Sequence, residues 1–309
     1  MSIAKPQSEP FFSIVIPVYN RADVITDTLD SVKAQDYPHF EVIIVDDCSK
    51  DSVQLQDVLE AYRSHFSINY IRHETNLHGA AARNTGIRAA KGTHVALLDS
   101  DDVWTNDKLS VCARYFIEHP DIEVTTSQIL TVEHGKQIKI PAVPRAPGVS
   151  VADYLLYEFG SMQTSSIVVR TDVAQRVLFD GSLKRFQDYD FTIALDRAGC
   201  TFGYIEQALV VMTDNDQGNR IRNSTNLEPL EVWMKKVKPL ISARAYETFK
   251  VIRYVRCLLA NKQRSKAISE LLKPRTVRYC KKSVWLKMLF GSITPFGFHD
   301  FMLRLKRRF

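Results

Sequence analysis

The sequence predicts an α/β fold with a doubly wound sheet in its first part and a basic helical region after it. From Ser13 onward β-branched apolar runs alternate with helical patterns, the mark of parallel strands joined by crossover helices. Acidic residues stand directly after two of these strands, and β-patterns disappear beyond about Leu230, where apolar residues recur with Lys and Arg at helical intervals.

Ser13–Val18 reads as a buried strand, and Val24, Ile25, Leu29 and Val32 then keep near-helical spacing across Asp23–Ala34. Phe40–Val45 is the second strand, a helix carrying Leu55, Val58, Leu59, Tyr62 and Phe66 follows, and Ile68–Arg72 is the third strand. The Ala-rich stretch Gly79–Ala90 is helical, His94–Leu98 is a fourth strand, and Asn106–His119 is a helix with Lys108 and Arg114 on its wet face. Val124–Leu130 continues as strand, whereas Thr131–Val149, with Pro141, Pro144, Pro147 and Gly148, reads as a turn or mobile loop. Ser166–Arg170 is a strand, Asp188–Ala198 a helix and Phe202–Val211 a returning strand. This divides the chain into a first domain, residues 1–229, whose two halves meet near residues 130–131, and a helical region, residues 230–309.

Residues 230–309 hold 20 Lys and Arg against 4 Asp and Glu, a net +16, leaving 21 against 31, a net −10, for residues 1–229. An acidic domain followed by a basic tail points to an anionic partner for the tail, a phospholipid surface or a phosphorylated ligand. No nucleic-acid reading module accompanies the charge, so nucleic acid is not the expected partner. The five cysteines, Cys48, Cys112, Cys200, Cys257 and Cys280, are odd in number and form no CxxC pair, which argues for a reducing cytosol and against a zinc site. Met1–Pro10 is polar, the apolar run Phe11–Tyr19 is too short for a signal peptide, and no apolar stretch approaches the ~20 residues of a spanning helix.

Parallel α/β sheets bind ligands at the carboxyl ends of their strands. Asp46 and Asp47 close the second strand, and Asp99, Asp101 and Asp102 close the fourth. Carboxylates in D-x-D spacing offer hard oxygen ligands to Mg²⁺ or Mn²⁺, which would bridge nucleotide phosphates; Ser100, Asp101 and Asp102 serve equally well as a solvated cap of the next helix. The Asp46–Asp47 pair can accept from a base N–H or a ribose hydroxyl, or form an ordinary polar loop. Asp188 and Asp190 stand where Asp is favoured at a helix start without any catalytic role. His78 and His94 are isolated and read as local polar residues.

Four segments in order link these clusters: Phe12-Ser13-Ile14-Val15-Ile16-Pro17-Val18-Tyr19-Asn20-Arg21, Ile44-Val45-Asp46-Asp47-Cys48-Ser49, Gly79-Ala80-Ala81-Ala82-Arg83-Asn84-Thr85-Gly86-Ile87 and Leu97-Leu98-Asp99-Ser100-Asp101-Asp102. Together they resemble family 2 of the inverting glycosyltransferases, which have the GT-A nucleotide-diphospho-sugar transferase fold, and the resemblance covers residues 12–211, about two thirds of the chain. Cys48 stands where the family usually has Gly, and Gln187 where the acceptor-side block more often has Glu before the Asp; the QxxRW signature of processive synthases is absent.

The resemblance implies a Rossmann-like doubly wound mixed sheet, with residues 12–130 as the donor half and 131–229 as the acceptor half. It implies that Pro17, Tyr19 and Asn20 border the nucleoside pocket, that Asp47, with Asp46 beside it, holds the base, and that Arg83 positions the donor. Asp99, Asp101 and Asp102 handle ribose and metal, the metal falling to Asp101 and Asp102. Asp188 aligns with the catalytic base. The expected cofactor is Mn²⁺ or Mg²⁺, the donor a UDP-sugar, and the acceptor a polyprenyl-diphosphate-linked or oligosaccharide hydroxyl in bacterial O-antigen or capsular polysaccharide synthesis.

Residues 275–309 mix cations with large apolar side chains, as in Trp285-Leu286-Lys287-Met288-Leu289-Phe290, and suit an interfacial helix; packing on the rest of the chain with a solvated basic face is the other use of this pattern. The expected location is cytoplasmic, peripheral on the inner face of the cell membrane. Two other classes share the strand-end acids: a non-catalytic sugar-nucleotide binder, and a Mg²⁺-dependent phosphoacceptor signalling domain, which would end near 120 residues.

Overall fold

The computed structural model describes residues 9–133, 136–212 and 225–293. The chain forms two compact units, one of residues 1–144 with 162–216 and one of residues 145–161 with 217–309.

The first unit is built on β1 (Phe12–Val18), β2 (Phe40–Asp46), β3 (Ile68–Arg72), β4 (His94–Leu97), β5 (Val103–Trp104), β6 (Val124–Glu133), β7 (Lys136–Ile140), β8 (Val168–Arg170) and β9 (Phe202–Met212). Among the described residues these run in the order β3-β2-β1-β4-β8-β6-β9-β5, with β7 paired to β6. The first four are mutually parallel, while β8 is antiparallel to both β4 and β6, so the sheet is mixed. The parallel register sets Val18 beside Asp46 and Asp46 beside Arg72, which brings the carboxyl ends of β1, β2 and β3 to one edge.

Both faces of the central parallel strands are covered, which is why β1, β2 and β4 read as continuous apolar runs. Ile14 and Ile16 cluster with α1 (Ile25–Lys33), α2 (Ser52–Glu60) and α4 (Lys108–Glu118), whereas Val15, Ile43 and Val45 cluster with α3 (His78–Ala89), α6 (Thr171–Val177) and α7 (Gln187–Arg197). Ile25, Leu29 and Val32 of α1 are fully buried, each a gain of about 1.5–3 kcal/mol over leaving it in water. On the other face α3 lies so close to β1 that a Cβ on Gly86 would fall 2.3 Å from Val15 Cγ1. Only a residue without a side chain fits there.

Several elements differ from the sequence reading. Lys108 is not on a wet face: it is fully buried, its Nζ donates to Ser166 O at 3.1 Å and to Ser127 Oγ at 3.4 Å, and burial holds its pKa below the usual lysine range. Polarity alone assigned it to solvent, although a long side chain can carry its ammonium inward to buried acceptors. The helix α2 stops at Glu60, and Tyr62 and Phe66 are buried from the turn that follows. Between Thr131 and Val149 the chain is not all loop, because β7 returns along β6 as a hairpin, Ile129 pairing with Ile140. The acidic cluster after β4 leads not into a helix but into β5, which pairs with β9.

The second unit contains α5 (Val151–Leu156) and α8 (Glu228–Val237), α9 (Ala243–Phe249), a π-helical segment Lys250–Val255, α10 (Arg256–Ala260), α11 (Arg264–Leu272), α12 (Pro274–Tyr279) and α13 (Lys282–Ile293). Residues 145–161, which the sequence reading left in the first domain, cluster here. Ser150 caps α5 by accepting from Asp153 N–H, and the Asp153 carboxylate accepts from Ser242 Oγ at 2.5 Å and Arg244 Nε at 3.0 Å. Buried Glu247 is paired with Lys250 and with Arg275 Nε, so its charge is not left bare. Among the described residues no helix is long and apolar enough to cross a membrane.

Candidate active site

The site grows from the carboxyl edge of β1, β2 and β4. Pro17, part-buried opposite Val45, interrupts the buried run of β1 before buried Val18, and Tyr19 beyond it is 45% exposed. Asn20 sits at φ 51°, a left-handed conformation that Asn tolerates, and is held from both sides: its N–H donates to Ser49 Oγ at 3.0 Å and its Oδ1 accepts from Lys50 N–H at 2.8 Å. This ties the turn after β1 to the turn after β2. Cys48, where the family has Gly, keeps the glycine-like backbone at φ 63°.

The two neighbouring carboxylates have different partners. Asp46 is fully buried, Oδ1 accepting from Ser49 N–H at 2.8 Å while Oδ2 accepts from Tyr70 OH at 2.7 Å and faces Arg72 Nε at 3.3 Å. It holds the strand ends together, and burial, reinforced by the hydrogen bond to Asp46, raises the Tyr70 pKa. Asp47 uses only Oδ1, which accepts from Leu77 N–H at 2.8 Å and meets His73 Nδ1 at 2.8 Å. Asp47 is itself buried, 2% exposed, and its Oδ2 has no hydrogen-bond partner among the described residues.

Arg83 joins the donor-side and acceptor-side predictions. From α3 its Nη2 donates to Asp99 Oδ1 at 2.5 Å and its Nη1 to Gln187 Oε1 at 2.8 Å, and Gly79 one turn earlier leaves room for the guanidinium, since a Cβ there would sit 3.1 Å from Nη1. Arg83 Nε is buried without a partner. Asp188 follows Gln187 in the first turn of α7, after Phe186 at φ 62°. Burial holds the Asp188 carboxyl above the usual carboxylate range, offset in part by the Tyr189 N–H and Arg83, and reinforced by the like charge of Asp99.

The acidic cluster after β4 splits by exposure. The Asp101 side chain is 43% exposed, 3.8 Å from Arg21, and Asp99 retains one oxygen beyond its bond to Arg83. Asp102 is buried, its Oδ2 accepting from Ser165 Oγ at 2.5 Å and Gln163 Nε2 at 2.6 Å, while Ser165 Oγ accepts from Asp99 N–H. Burial and the Asp99 charge push Asp102 up to about 7. Among the described residues no group of three or more His, Cys, Asp or Glu side chains forms a ready cation cage. The donor set suits an ion that takes most of its ligands from phosphate oxygens and water, as Mg²⁺ does.

Sequence reasoning missed His73 and Gln163. His73 is the first residue past β3, and adjacency to the Asp pair ending the neighbouring parallel strand is the signal that would have found it. A cleft of about 480 Å³ lined by Thr93, His94, Phe116 and Arg170 holds none of the carboxylates described above.

Residues 13–164 match the family model described as Glycosyl transferase family 2. A relative from Erwinia amylovora, the amylovoran biosynthesis glycosyltransferase AmsB, is 36% identical over 245 residues, 77% of this chain and 81% of its own. The chain belongs to glycosyl transferase family 2. As a family 2 glycosyltransferase it has the GT-A fold followed by a helical C-terminal region. The fold is shared with Staphylococcus aureus TarS 1–349 in complex with UDP-GlcNAc, at TM-score 0.66 and 22% identity over 90% of this chain and 83% of that one. It is also shared with the Pyrobaculum calidifontis mannosyltransferase PcManGT in complex with GDP-Man and Mn²⁺, at TM-score 0.58 and 18% identity over 93% and 87% of the two chains. The phosphoacceptor reading gives way, since the sheet of this glycosyltransferase runs on through β9.

Proposed function

We propose that this glycosyltransferase moves a hexose from a UDP-sugar to a hydroxyl of a lipid-linked or oligosaccharide acceptor in bacterial surface polysaccharide synthesis, with inversion at the anomeric carbon. The observation that carries the reading is Arg83, one side chain bonded both to Asp99 of the donor cluster and to the residue preceding Asp188. The name of AmsB supports the polysaccharide setting, and the UDP-GlcNAc complex of TarS supports the donor class.

In this mechanism Tyr19 flanks the base, Asp47 Oδ2 accepts its N–H, and Asp99 and Arg83 hold the ribose and sugar side of the donor. Asp46 supports Asp47 from below rather than touching the nucleotide. Asp188 takes the proton of the acceptor hydroxyl as that oxygen bonds to the anomeric carbon and the bond to the diphosphate breaks. A base whose pKa is raised toward neutrality accepts that proton with more driving force, and such catalysis is worth about 10²–10⁴-fold. Asp101 is the exposed carboxylate that would hold Mn²⁺ or Mg²⁺, with Asp102 bracing the loop from beneath through Oδ2 and offering Oδ1 as a second ligand. Bound there, such an ion would supply positive charge to the departing diphosphate.

The tail completes the reading as a peripheral contact with the inner face of the membrane through residues 275–309, of which 294–309 lie outside the described residues. Leu286 and Ile293 of α13 are 58% and 59% exposed, on a helix that also carries Lys282 and Lys287. Sedimentation with anionic vesicles at low and high salt tests this contact, and indifference to anionic lipid removes it.

The reaction is tested by nucleotide release from UDP-, GDP- and dTDP-sugars with Mn²⁺ or EDTA and a synthetic GlcNAc-diphospho-lipid acceptor. Metal-dependent UDP release with one sugar is the expected result. Release from a GDP- or dTDP-sugar alone overturns the donor assignment.

A further inference from the structure

We infer that His73 is a positioning residue for nucleobase recognition: it fixes the Asp47 carboxylate in one rotation so that a single oxygen is presented to the base. This rests on the reading of Asp47 as the base-binding carboxylate and adds to it the group that aims it.

The geometry starts from the backbone. Asp47 N–H donates to Val18 O at 2.8 Å and His73 N–H donates to Asp46 O at 2.8 Å, so the parallel ladders continue one residue past β2 and β3 and leave the two side chains adjacent. The imidazole is 10% exposed and spans the gap between two elements, Nδ1 lying 2.8 Å from Asp47 Oδ1 and Nε2 lying 2.9 Å from Thr85 Oγ1 on α3.

An ionised carboxylate only accepts, so Nδ1 carries a hydrogen whether the ring is neutral or charged. In the neutral ring Nε2 accepts from the Thr85 hydroxyl, and in the charged ring it donates to it. Thr85 therefore holds the ring plane in both states. With the Leu77 N–H as second donor, Oδ1 is saturated from the protein side and Oδ2 remains for the ligand. A carboxylate left to rotate would spread its acceptor lone pairs over several directions and meet a planar base N–H less often, a loss of preorganisation that appears as weaker nucleotide binding with unchanged chemistry.

The arrangement also explains a division of labour at the end of β3. Arg72 and His73 each serve one of the two neighbouring carboxylates, Arg72 facing Asp46 and His73 facing Asp47. Asp46 receives donors on both oxygens and is closed to ligand; Asp47 receives them on one.

Two substitutions separate aiming from mere bracing. In His73→Asn the amide nitrogen falls near the place of Nδ1, keeping the donor to Asp47 while giving up Thr85. In His73→Gln the amide reaches toward Thr85 and gives up the donor to Asp47. The readouts are inhibition of the full-length enzyme by UDP and by pyrophosphate, with donor KM and kcat. We expect H73Q to weaken UDP inhibition and raise donor KM roughly tenfold, the scale of one hydrogen bond to a charged group, with kcat and pyrophosphate inhibition unchanged. H73N stays within about threefold of the parent. Equal behaviour of the two variants, or tolerance of H73Q with loss in H73N, overturns the inference and leaves His73 as a brace for α3.

Asp47→Ala distinguishes the two levels. If D47A leaves UDP inhibition intact, the base-binding reading itself fails; if D47A weakens UDP while H73N and H73Q agree, only the role of His73 fails. Should H73Q not fold, Thr85→Val reads the same device from the far side of the ring. It is expected to weaken UDP inhibition about threefold with pyrophosphate unaffected, and no change in UDP inhibition overturns the inference.

Discussion

Arg83 donates to Gln187 Oε1 at 2.8 Å while Gln187 Nε2 donates to Leu183 O at 2.7 Å, so an amide, accepting with one atom and donating with the other, satisfies both neighbours. A carboxylate at this position, the form more common in the family, could serve only the first. Gln187→Glu therefore strengthens the bond to Arg83 by charge, leaves Leu183 O without its donor, and sets a like charge beside Asp188. The Asp188 pKa, already raised, rises further, and since Asp188 works as a base only when ionised, the acid limb of the kcat–pH profile moves to higher pH. A profile that shifts to lower pH or stays fixed counts against Asp188 as the titrating base.

Asp188→Asn keeps the shape of the first turn of α7 and removes the proton acceptor. Turnover is expected to fall about 10²–10⁴-fold with the affinity for UDP within about twofold of the parent. Calorimetric UDP titration beside single-turnover assays checks both halves, and near-normal turnover rejects the assignment.

Gly86→Ala drives a methyl into the contact with Val15, where the hypothetical Cβ lies 2.3 Å from Cγ1 and 3.2 Å from Cγ2. Neither a β-branched core side chain nor β1 can give way cheaply, so a loss of about 1–3 kcal/mol in urea unfolding is expected. Val15→Ala in the same chain removes the obstructing methyls. The double variant should lose less than the sum of the two single losses, and simple additivity would mean that the contact is not what excludes a side chain at 86.

His94 packs its ring 4.1 Å from that of Phe116 and 5.8 Å from that of Phe12, with Nδ1 2.9 Å from Thr93 Oγ1. Burial, with the nearby Arg170 charge, lowers its pKa from 6.5 to about 4, while Asp172 pulls weakly the other way. A histidine with a depressed folded pKa binds its proton more readily in the unfolded chain, so its contribution is full above pH 6.5 and is lost as pH falls toward 4. The thermal midpoint should fall across that window, and His94→Phe should flatten the dependence there. An unchanged slope in the variant would assign the acid sensitivity to other groups.

The parallel half of the sheet was legible because β1, β2 and β4 are apolar runs covered on both faces, and two of them end in acids that mark a carboxyl edge, Asp46 and Asp47 for β2 and Asp99, Asp101 and Asp102 for β4. The rest hid for physical reasons. Two residues, Val103 and Trp104, are too few to show any period, and β5 exists only because β9 offers it a partner. β7 lies in a stretch rich in Pro and Gly whose pairing with β6 is a tertiary fact. The candidate site was read as a set of carboxylates, yet its geometry is set by the neutral groups that serve them. Ser165 and Gln163 reach Asp102 across more than 60 positions of sequence, at 2.5 and 2.6 Å, and no local pattern announces such a pairing.

The buried ammonium of Lys108 has a practical consequence. Its nitrogen is enclosed by Ser166 O and Ser127 Oγ with no surface open to solvent, so an amine-modifying reagent reaches it only when the packing of α4 against the sheet opens. Surface lysines react at the rate set by the reagent; Lys108 reacts at the rate set by the protein. Peptide mapping of that one amine over time thus turns a residue with no contact to substrate into an internal clock for how often the catalytic unit breathes, and donor binding should slow it.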